Sequence, residues 1–164
     1  MLVFPPFQRG EKKRGLWKIL SILGAMVRGV KKGLKMAVRV VRLGSERAKD
    51  EGLRIGTVRR PPRGVPKSEF SKQNWYDVWL PNLAPDSETI KLGQAAVSER
   101  DGQQLVTKYR KQMSTPDNTH LLELLAIMSH NSNFSVGCYC ANAARCHRSV
   151  LKELLLEKGA VLAE

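Results

Sequence analysis

The segment from Cys138 to Arg148 carries the greatest concentration of residues that could do chemistry. It reads Cys-Tyr-Cys-Ala-Asn-Ala-Ala-Arg-Cys-His-Arg, which places three thiols, one imidazole and two guanidinium groups within eleven residues. Three interpretations fit these residue types: an anion site with a thiolate nucleophile, a metal site, and a packed structural turn.

The first interpretation is anion binding beside an activated thiol. The segment joins a predicted strand to a predicted helix, and the free amides at a helix N-terminus attract phosphate or carboxylate. The same field, with Arg145 and Arg148 nearby, would lower the pKa of a thiol, so Cys140 and Cys146 are the candidate nucleophiles. The run from Cys140 to Arg145 resembles the loops of phosphatase-like and sulfurtransferase-like enzymes, although it differs from the phosphatase spacing by one residue and lacks the glycines.

The second interpretation is metal binding. Four side chains supply the number of ligands that a closed zinc site needs: Cys138, Cys140, Cys146 and His147. Their spacing, C-x-C-x5-C-H, differs from the usual paired CxxC motifs, and adjacent residues at a helix start are expected to project in different directions.

In the third interpretation the thiols are small buried fillers and His147 hydrogen-bonds near a helix end. The two other histidines lack a companion ligand at helical spacing, which predicts a surface position for His120 and His130.

The positive charge of the chain is concentrated in its first part. The formal net charge is +13. Residues 1–67 carry 18 basic and 4 acidic side chains, whereas residues 68–164 carry 10 basic and 11 acidic ones. This asymmetry predicts contact with a polyanion or an anionic ligand, although a basic tail and a solvated loop would give the same counts. Three arginines and three prolines lie together in the stiff loop Arg59–Lys67.

Residues 1–35 are predicted to be a basic appendage. Apolar residues near helical spacing, with lysines and arginines between them, are typical of an amphipathic helix that contacts an anionic membrane surface or nucleic acid. The apolar run Ile19–Val27 is shorter than the roughly 20 residues that span a bilayer, and no small-residue cleavage site follows it. Alternatively, translation begins at Met36 and the preceding residues are an upstream extension.

The remaining chain, residues 36–164, has the length of one ordinary domain. Its strands are predicted at 36–43, 53–58, 75–80 and 134–139, and its helices at 87–97 with a Ser87 cap, at 102–113, after a Thr115 cap, and from Arg145 to Gly159. This alternation favours a small single α/β domain with a mostly parallel sheet and helices on its faces. Three clustered cysteines are a poor disulfide framework, so we expect a cytoplasmic protein with reduced thiols.

Several motifs together resemble the domain of unknown function 488 family. They are RIGTVRRPPRGVPK (54–67), YDVWLPNLAP (76–85), YRKQM (109–113) and the cysteine segment 137–149, and they occur in order over residues 37–159. The resemblance implies a compact α/β domain in which the Arg59–Lys67 loop and the Cys138–Arg148 turn are the characteristic elements, but it implies no particular reaction. Family members carry acidic residues soon after the second cysteine, where this chain has Ala-Asn-Ala-Ala (141–144). An anion-binding role needs no such carboxylate.

These observations combine into one hypothesis. Ligands of open α/β sheets bind at the carboxyl ends of the strands, so the basic loop and the cysteine turn are expected to share a pocket beside the last helix. An anionic nucleotide or phosphoester would then be held by side chains from both: Arg59, Arg60, Arg63, Arg145, His147 and Arg148. The alternatives are a non-enzymatic nucleic-acid-binding module that contacts phosphates, and a zinc-stabilised structural domain. The residue pattern alone establishes no enzyme activity.

Overall fold

A computed structural model of the chain describes residues 36–95 and 98–163. Four strands and four helices follow one another in these residues: β1 (Val38–Arg42), β2 (Leu53–Gly56), β3 (Val78–Trp79), α1 (Ser87–Ala95), α2 (Glu99–Met113), α3 (Pro116–Met128), β4 (Phe134–Cys138) and α4 (His147–Glu157). The appendage predicted for residues 1–35, with its amphipathic helix, lies outside the described residues. In the part of the chain that is described, no helix is long and apolar enough to cross a bilayer.

The strands form one parallel sheet in the order β1-β4-β2-β3. The last strand in sequence, β4, is inserted between the first two: Phe134 lies opposite both Val38 and Leu53. All five residues of β4 are buried, as expected for a central strand with neighbours on both sides. The prediction of a small α/β domain with a mostly parallel sheet is therefore confirmed.

The two faces of the sheet are covered differently. Phe134 and Val136 of β4 pack into the main core with apolar residues of α2, α3 and α4. Alternate strand residues point to the opposite face, where Ser135 hydrogen-bonds into a buried ion pair between Glu51 and Arg54. The helices thus cover one face, and the loop after β1 covers part of the other.

The buried ion pair was not predicted from sequence. Arg54 is 0% exposed and Glu51 is 2% exposed. The guanidinium donates from Nε to Glu51 Oε1 over 2.6 Å and from Nη2 to Glu51 Oε2 over 2.7 Å. Arg54 Nη1 also donates to the carbonyls of Ser45 and Asn74, both over 2.8 Å. The pair therefore fixes the segments on either side of β2 to the sheet.

Some predicted element boundaries were wrong. The aromatic segment 75–80 contributes only the two residues of β3 at the sheet edge, and Val78 and Trp79 are each 43% exposed. The cap of α1 is Asp86 rather than Ser87, because Asp86 Oδ1 accepts from the amide of Thr89 over 2.7 Å. Thr115 precedes α3, but its side chain makes no cap hydrogen bond.

Because all strands run in the same direction, the carboxyl ends of β1, β2 and β4 meet at one edge. Three connections leave the sheet there: residues 43–52 after β1, the basic loop after β2, and the cysteine turn after β4. This edge is where ligands bind in open α/β sheets.

Candidate functional site

The cysteine turn begins at the end of β4 and finishes at the start of α4. Cys138 is the last residue of β4, Cys146 is the N-cap of α4 and His147 is its first residue. Cys146 and His147 are 3% and 6% exposed, and Cys138 is also buried. Cys140 is exposed, so it is the one thiol of the three that meets solvent.

The sulfur and nitrogen atoms of this turn converge. The Sγ atoms of Cys138 and Cys140 are 3.6 Å apart, and Cys146 Sγ is 3.8 Å from Nδ1 of His147. One ligand atom each from Cys138, Cys146 and His147 lies within 4.8 Å of the others. The expectation that Cys146 and His147 project in different directions was therefore wrong, because the extended backbone of the cap residue (φ −127°, ψ 145°) turns its side chain toward the imidazole.

His147 is oriented by the end of β2. Its Nε2 lies 3.0 Å from the carbonyl oxygen of Thr57, and a carbonyl can only accept, so Nε2 carries the proton. Nδ1 is the nitrogen that faces Cys146. The ring also packs edge-on against Tyr109, with centroids 5.4 Å apart. These contacts fix the positions of β2, α4 and the imidazole of His147 relative to one another.

The three thiols differ in acidity. Hydrogen bonds from Cys138 and Cys140, together with His147, lower the pKa of Cys146. The pKa of Cys138 is raised by its hydrogen bonds to the two other sulfurs and by burial. Hydrogen bonding to Cys138 lowers the pKa of Cys140, but its hydrogen bond to Cys146 and burial outweigh this, so the net shift is upward. The thiol that ionises most readily is therefore buried, while the exposed one is less acidic than a free cysteine.

Three backbone amides of the turn donate to acceptors within it. The side-chain oxygen of Asn142 accepts from the amides of Ala144 (2.9 Å) and Arg145 (3.3 Å). The amide of Cys146 donates to Ala143 O over 3.2 Å. A phosphate-binding loop of the phosphatase or sulfurtransferase type directs such amides at its ligand. These three amides are therefore not available to an anion at this edge.

The two arginines of the turn have different surroundings. Arg148 is 4% exposed and donates from Nη2 to Cys140 O over 2.7 Å, while its Nε has no hydrogen-bond partner. Arg145 is exposed and lines a cavity of about 400 Å³ between α2 and α4, together with Gly102, Val106 and Cys146. Neither guanidinium lines the cleft that the basic loop forms.

That cleft is the larger opening at the carboxyl edge, with a volume of about 1010 Å³. Cys138, Cys140 and His147 lie along one wall, and Trp75 and Tyr139 supply aromatic surface. Five cationic side chains line it: Arg42, Arg59, Arg60, Arg63 and Lys91. Among the described residues that line this cleft, none is Asp or Glu. The basic loop and the cysteine turn therefore share one cleft.

Contacts across the cleft hold the basic loop in place. Tyr139 in the cysteine turn donates its hydroxyl to the carbonyl of Arg60 over 3.2 Å. Arg59 donates from Nε and Nη2 to the carbonyl of Pro85, both over 3.2 Å. The hydrogen bond from the amide of Thr89 lowers the pKa of nearby Asp86, and the charge of Arg59 adds to this. All three arginines of the loop are exposed, and Arg59 is the one that bonds the carbonyl of Pro85.

Sequence reasoning did not identify three residues of this edge. Arg42 ends β1 and Lys91 lies on α1, and both were hidden among ordinary surface charges. Thr57 directly follows β2, and its carbonyl orients His147. Arg42 and Thr57 lie at the carboxyl ends of strands, and this position could have identified them as site residues. The sequence around Lys91 contains no comparable indication. His120 and His130 are exposed, as predicted.

The fold and the site together define the class: a small parallel α/β domain with a Cys-Cys-His cluster and a basic cleft at its carboxyl edge. The chain belongs to the DUF488 family, since residues 38–159 match the family model DUF488-N3a, described as the active DUF488-N3 subclade. No curated protein and no solved structure matches the chain.

Proposed function

We propose that this protein binds an anionic ligand of the nucleotide or phosphoester type in the basic cleft. The observation that carries the proposal is the charge of the lining: five cations converge on a cleft to which no described Asp or Glu contributes. Like charges held together in a folded protein repel one another, and an anion between them relieves the repulsion.

The shape and lining of the cleft favour an organic anion over a bare ion. Its volume of about 1010 Å³ is at the upper end of the range of small-molecule sites, about 300–1,000 Å³. Trp75, Pro62 and Ile90 provide apolar surface beside the cations. Arginine guanidinium groups bind phosphate in a bidentate manner, and an indole offers a face for a base.

We assign no reaction to this ligand. A nucleophilic cysteine has to be accessible to its substrate, and Cys146, one of the two candidates, is 3% exposed. Cys140 is accessible, but the turn that follows it, Ala-Asn-Ala-Ala, offers no carboxylate as a general acid or base. The cations can bind an anion without either thiol reacting.

The proposal is tested by titrating the protein with ADP as the probe, at low and at moderate salt, while following heat release and tryptophan fluorescence. We expect saturable binding that quenches Trp75. Arg63→Glu should weaken it at least tenfold, because a hydrogen bond to a charged group contributes about 1.5–3 kcal/mol. Lys152→Glu makes the same charge change on the exposed side of α4 and should leave the affinity within twofold.

Two results would contradict the proposal: no binding of ADP at low salt, or equal losses in the two variants. A single-stranded oligonucleotide titrated in parallel distinguishes the nucleic-acid alternative. Tight oligonucleotide binding with a steep salt dependence, about 0.7 in log–log slope for each phosphate contacted, combined with no ADP binding, would favour that alternative.

A further inference from the structure

Ligand atoms of Cys138, Cys146 and His147 lie within 4.8 Å of one another at one end of α4, and Cys140 Sγ lies 3.6 Å from Cys138 Sγ. We infer that these four residues bind one zinc ion. Zinc–sulfur bonds of about 2.3 Å in a tetrahedron separate neighbouring sulfurs by about 3.8 Å. The Cys138–Cys140 sulfur distance is 3.6 Å, and the distance from Cys146 Sγ to His147 Nδ1 is 3.8 Å. These two atom pairs would form opposite edges of the ligand tetrahedron, and their separations are already close to those expected around a bound zinc ion.

His147 is held in the form that a metal ligand requires. The carbonyl of Thr57, 3.0 Å from Nε2, holds the proton on that nitrogen, so Nδ1, which lies 3.8 Å from Cys146 Sγ, is the nitrogen that would bind the metal. Histidines that bind metals typically donate their second N–H to a carbonyl or carboxylate in this way. Thr57 is fully buried, and its hydroxyl also donates to Gly137 O over 3.0 Å, so the carbonyl that orients the ring is itself fixed.

A buried cation next to the cluster supplies the matching charge. Zinc bound by three thiolates and a neutral imidazole carries a net charge of −1. Arg148 is 4% exposed, its Nη2 bonds the carbonyl of Cys140, and its Nε has no partner. Within residues 36–95 and 98–163, no carboxylate forms an ion pair with it. A buried charge without a counter-charge is costly, and a zinc–thiolate centre would balance it.

The ligand set selects the metal and assigns a role to each thiol. Three thiolates with one imidazole suit zinc rather than magnesium or calcium, which prefer oxygen ligands. Cys138, Cys146 and His147 form the buried part of the site. Cys140 lies on the exposed turn and lines the basic cleft, so as the fourth ligand it would stand between the ion and the cleft.

The zinc content of protein purified without added metal or chelator is the direct test, measured by mass spectrometry per mole of chain. We expect one equivalent. Cys140→Ser removes an exposed ligand, so the chain should still fold, and a chromophoric chelator should then extract zinc at least 100-fold more readily, beyond the 10- to 100-fold that loss of an outer partner costs. His147→Ala should lose the metal, whereas His120→Ala, on the exposed surface of α3, should retain it.

Substitution of cobalt for zinc counts the thiolate ligands by absorption, so the result does not depend on the folding stability of a variant. The wild-type protein with Co²⁺ should show the strong visible bands of a tetrahedral site and a sulfur-to-cobalt charge-transfer band. Cys140→Ser should reduce that band to two thirds. A substoichiometric zinc content with no charge-transfer band would overturn the inference, and an unchanged band in Cys140→Ser would exclude Cys140 as a ligand. Arg63→Glu should keep one zinc, so failure of the anion proposal and failure of this one are separable.

Discussion

Glu51 and Arg54 show how much one residue pair determines in this domain. Their carboxylate and guanidinium are both buried, and the carboxylate also accepts from the hydroxyl of Ser135 over 2.6 Å. Although burial acts to raise the pKa of Glu51, hydrogen bonds from Arg54, Ser135 and the amide of Ala48 lower it on balance. The pair is therefore ionised, and each charge depends on the other.

We predict that Glu51→Gln destabilises the domain by about 3 kcal/mol or more, since it leaves the guanidinium of Arg54 buried without a counter-charge. The free energy of unfolding in urea measures this. Glu69→Gln is the control, because it removes the same kind of charge from an exposed pair with Lys72 and should cost under about 1 kcal/mol. Similar losses in the two variants would contradict the role given to burial.

At the scale of elements, helix α1 connects the edge of the sheet to the basic cleft. It begins directly after Asp86, whose carboxylate accepts from the amide of Thr89, and it contributes Lys91 to the cleft. The amide of Asp86 in turn donates to the side chain of Gln112 on α2 over 3.0 Å. The first turn of α1 is thus fixed by both its cap and its neighbour.

We predict that Asp86→Ala lowers the free energy of unfolding by about 1 kcal/mol, the usual effect of losing an N-cap oxygen. Ser87→Ala, one position later, should change it by less than about 0.5 kcal/mol, because an exposed site without a cap role tolerates substitution. Denaturant melts of the two variants compare them directly. A larger loss of unfolding free energy in Ser87→Ala than in Asp86→Ala would instead support Ser87 as the N-cap, as predicted from the sequence.

The sequence was informative where a pattern is local. Periodicity and proline positions located the four strands and the helices to within a few residues, and strand–helix alternation predicted the parallel sheet. The buried pair Glu51–Arg54 could not be recognised, because its partners are charged residues in a polar stretch and only the fold buries them. The short distance from Cys146 to His147 was also missed, since it depends on backbone angles at a single cap residue.

At the scale of the whole molecule, stability toward acid depends on carboxylates that join separate segments. Partial burial acts to raise the pKa of Asp77, but hydrogen bonds from Arg47, Ser71 and the amide of Arg54 outweigh this and lower it from 3.8 to about 2. The Arg47 guanidinium makes two contacts of 2.8 Å with this carboxylate. Asp77 thereby links the loop after β1, the segment before β3 and strand β2.

We predict the pH dependence from the direction of this shift. A carboxylate with a lowered pKa in the folded state stabilises the protein fully above its unfolded value, near pH 4, and this contribution is lost as the pH falls toward 2. Asp77→Asn should therefore lower the melting temperature at pH 6 and show a shallower decline between pH 4 and pH 2 than the wild type. Parallel curves across that range would contradict the assignment.

The position of β4 in the middle of the sheet has a consequence for the newly synthesised chain. β1 and β2 leave the ribosome early, yet the strand that separates them ends 82 residues after β2 does, from Gly56 to Cys138. At roughly 5–20 residues per second, translation of that stretch takes several seconds. For that time both early strands have unpaired edges that other nascent chains can join. Natural sequences place charges beside aggregation-prone strands, and Arg59, Arg60, Arg63 and Lys67 occupy that position in the loop after β2.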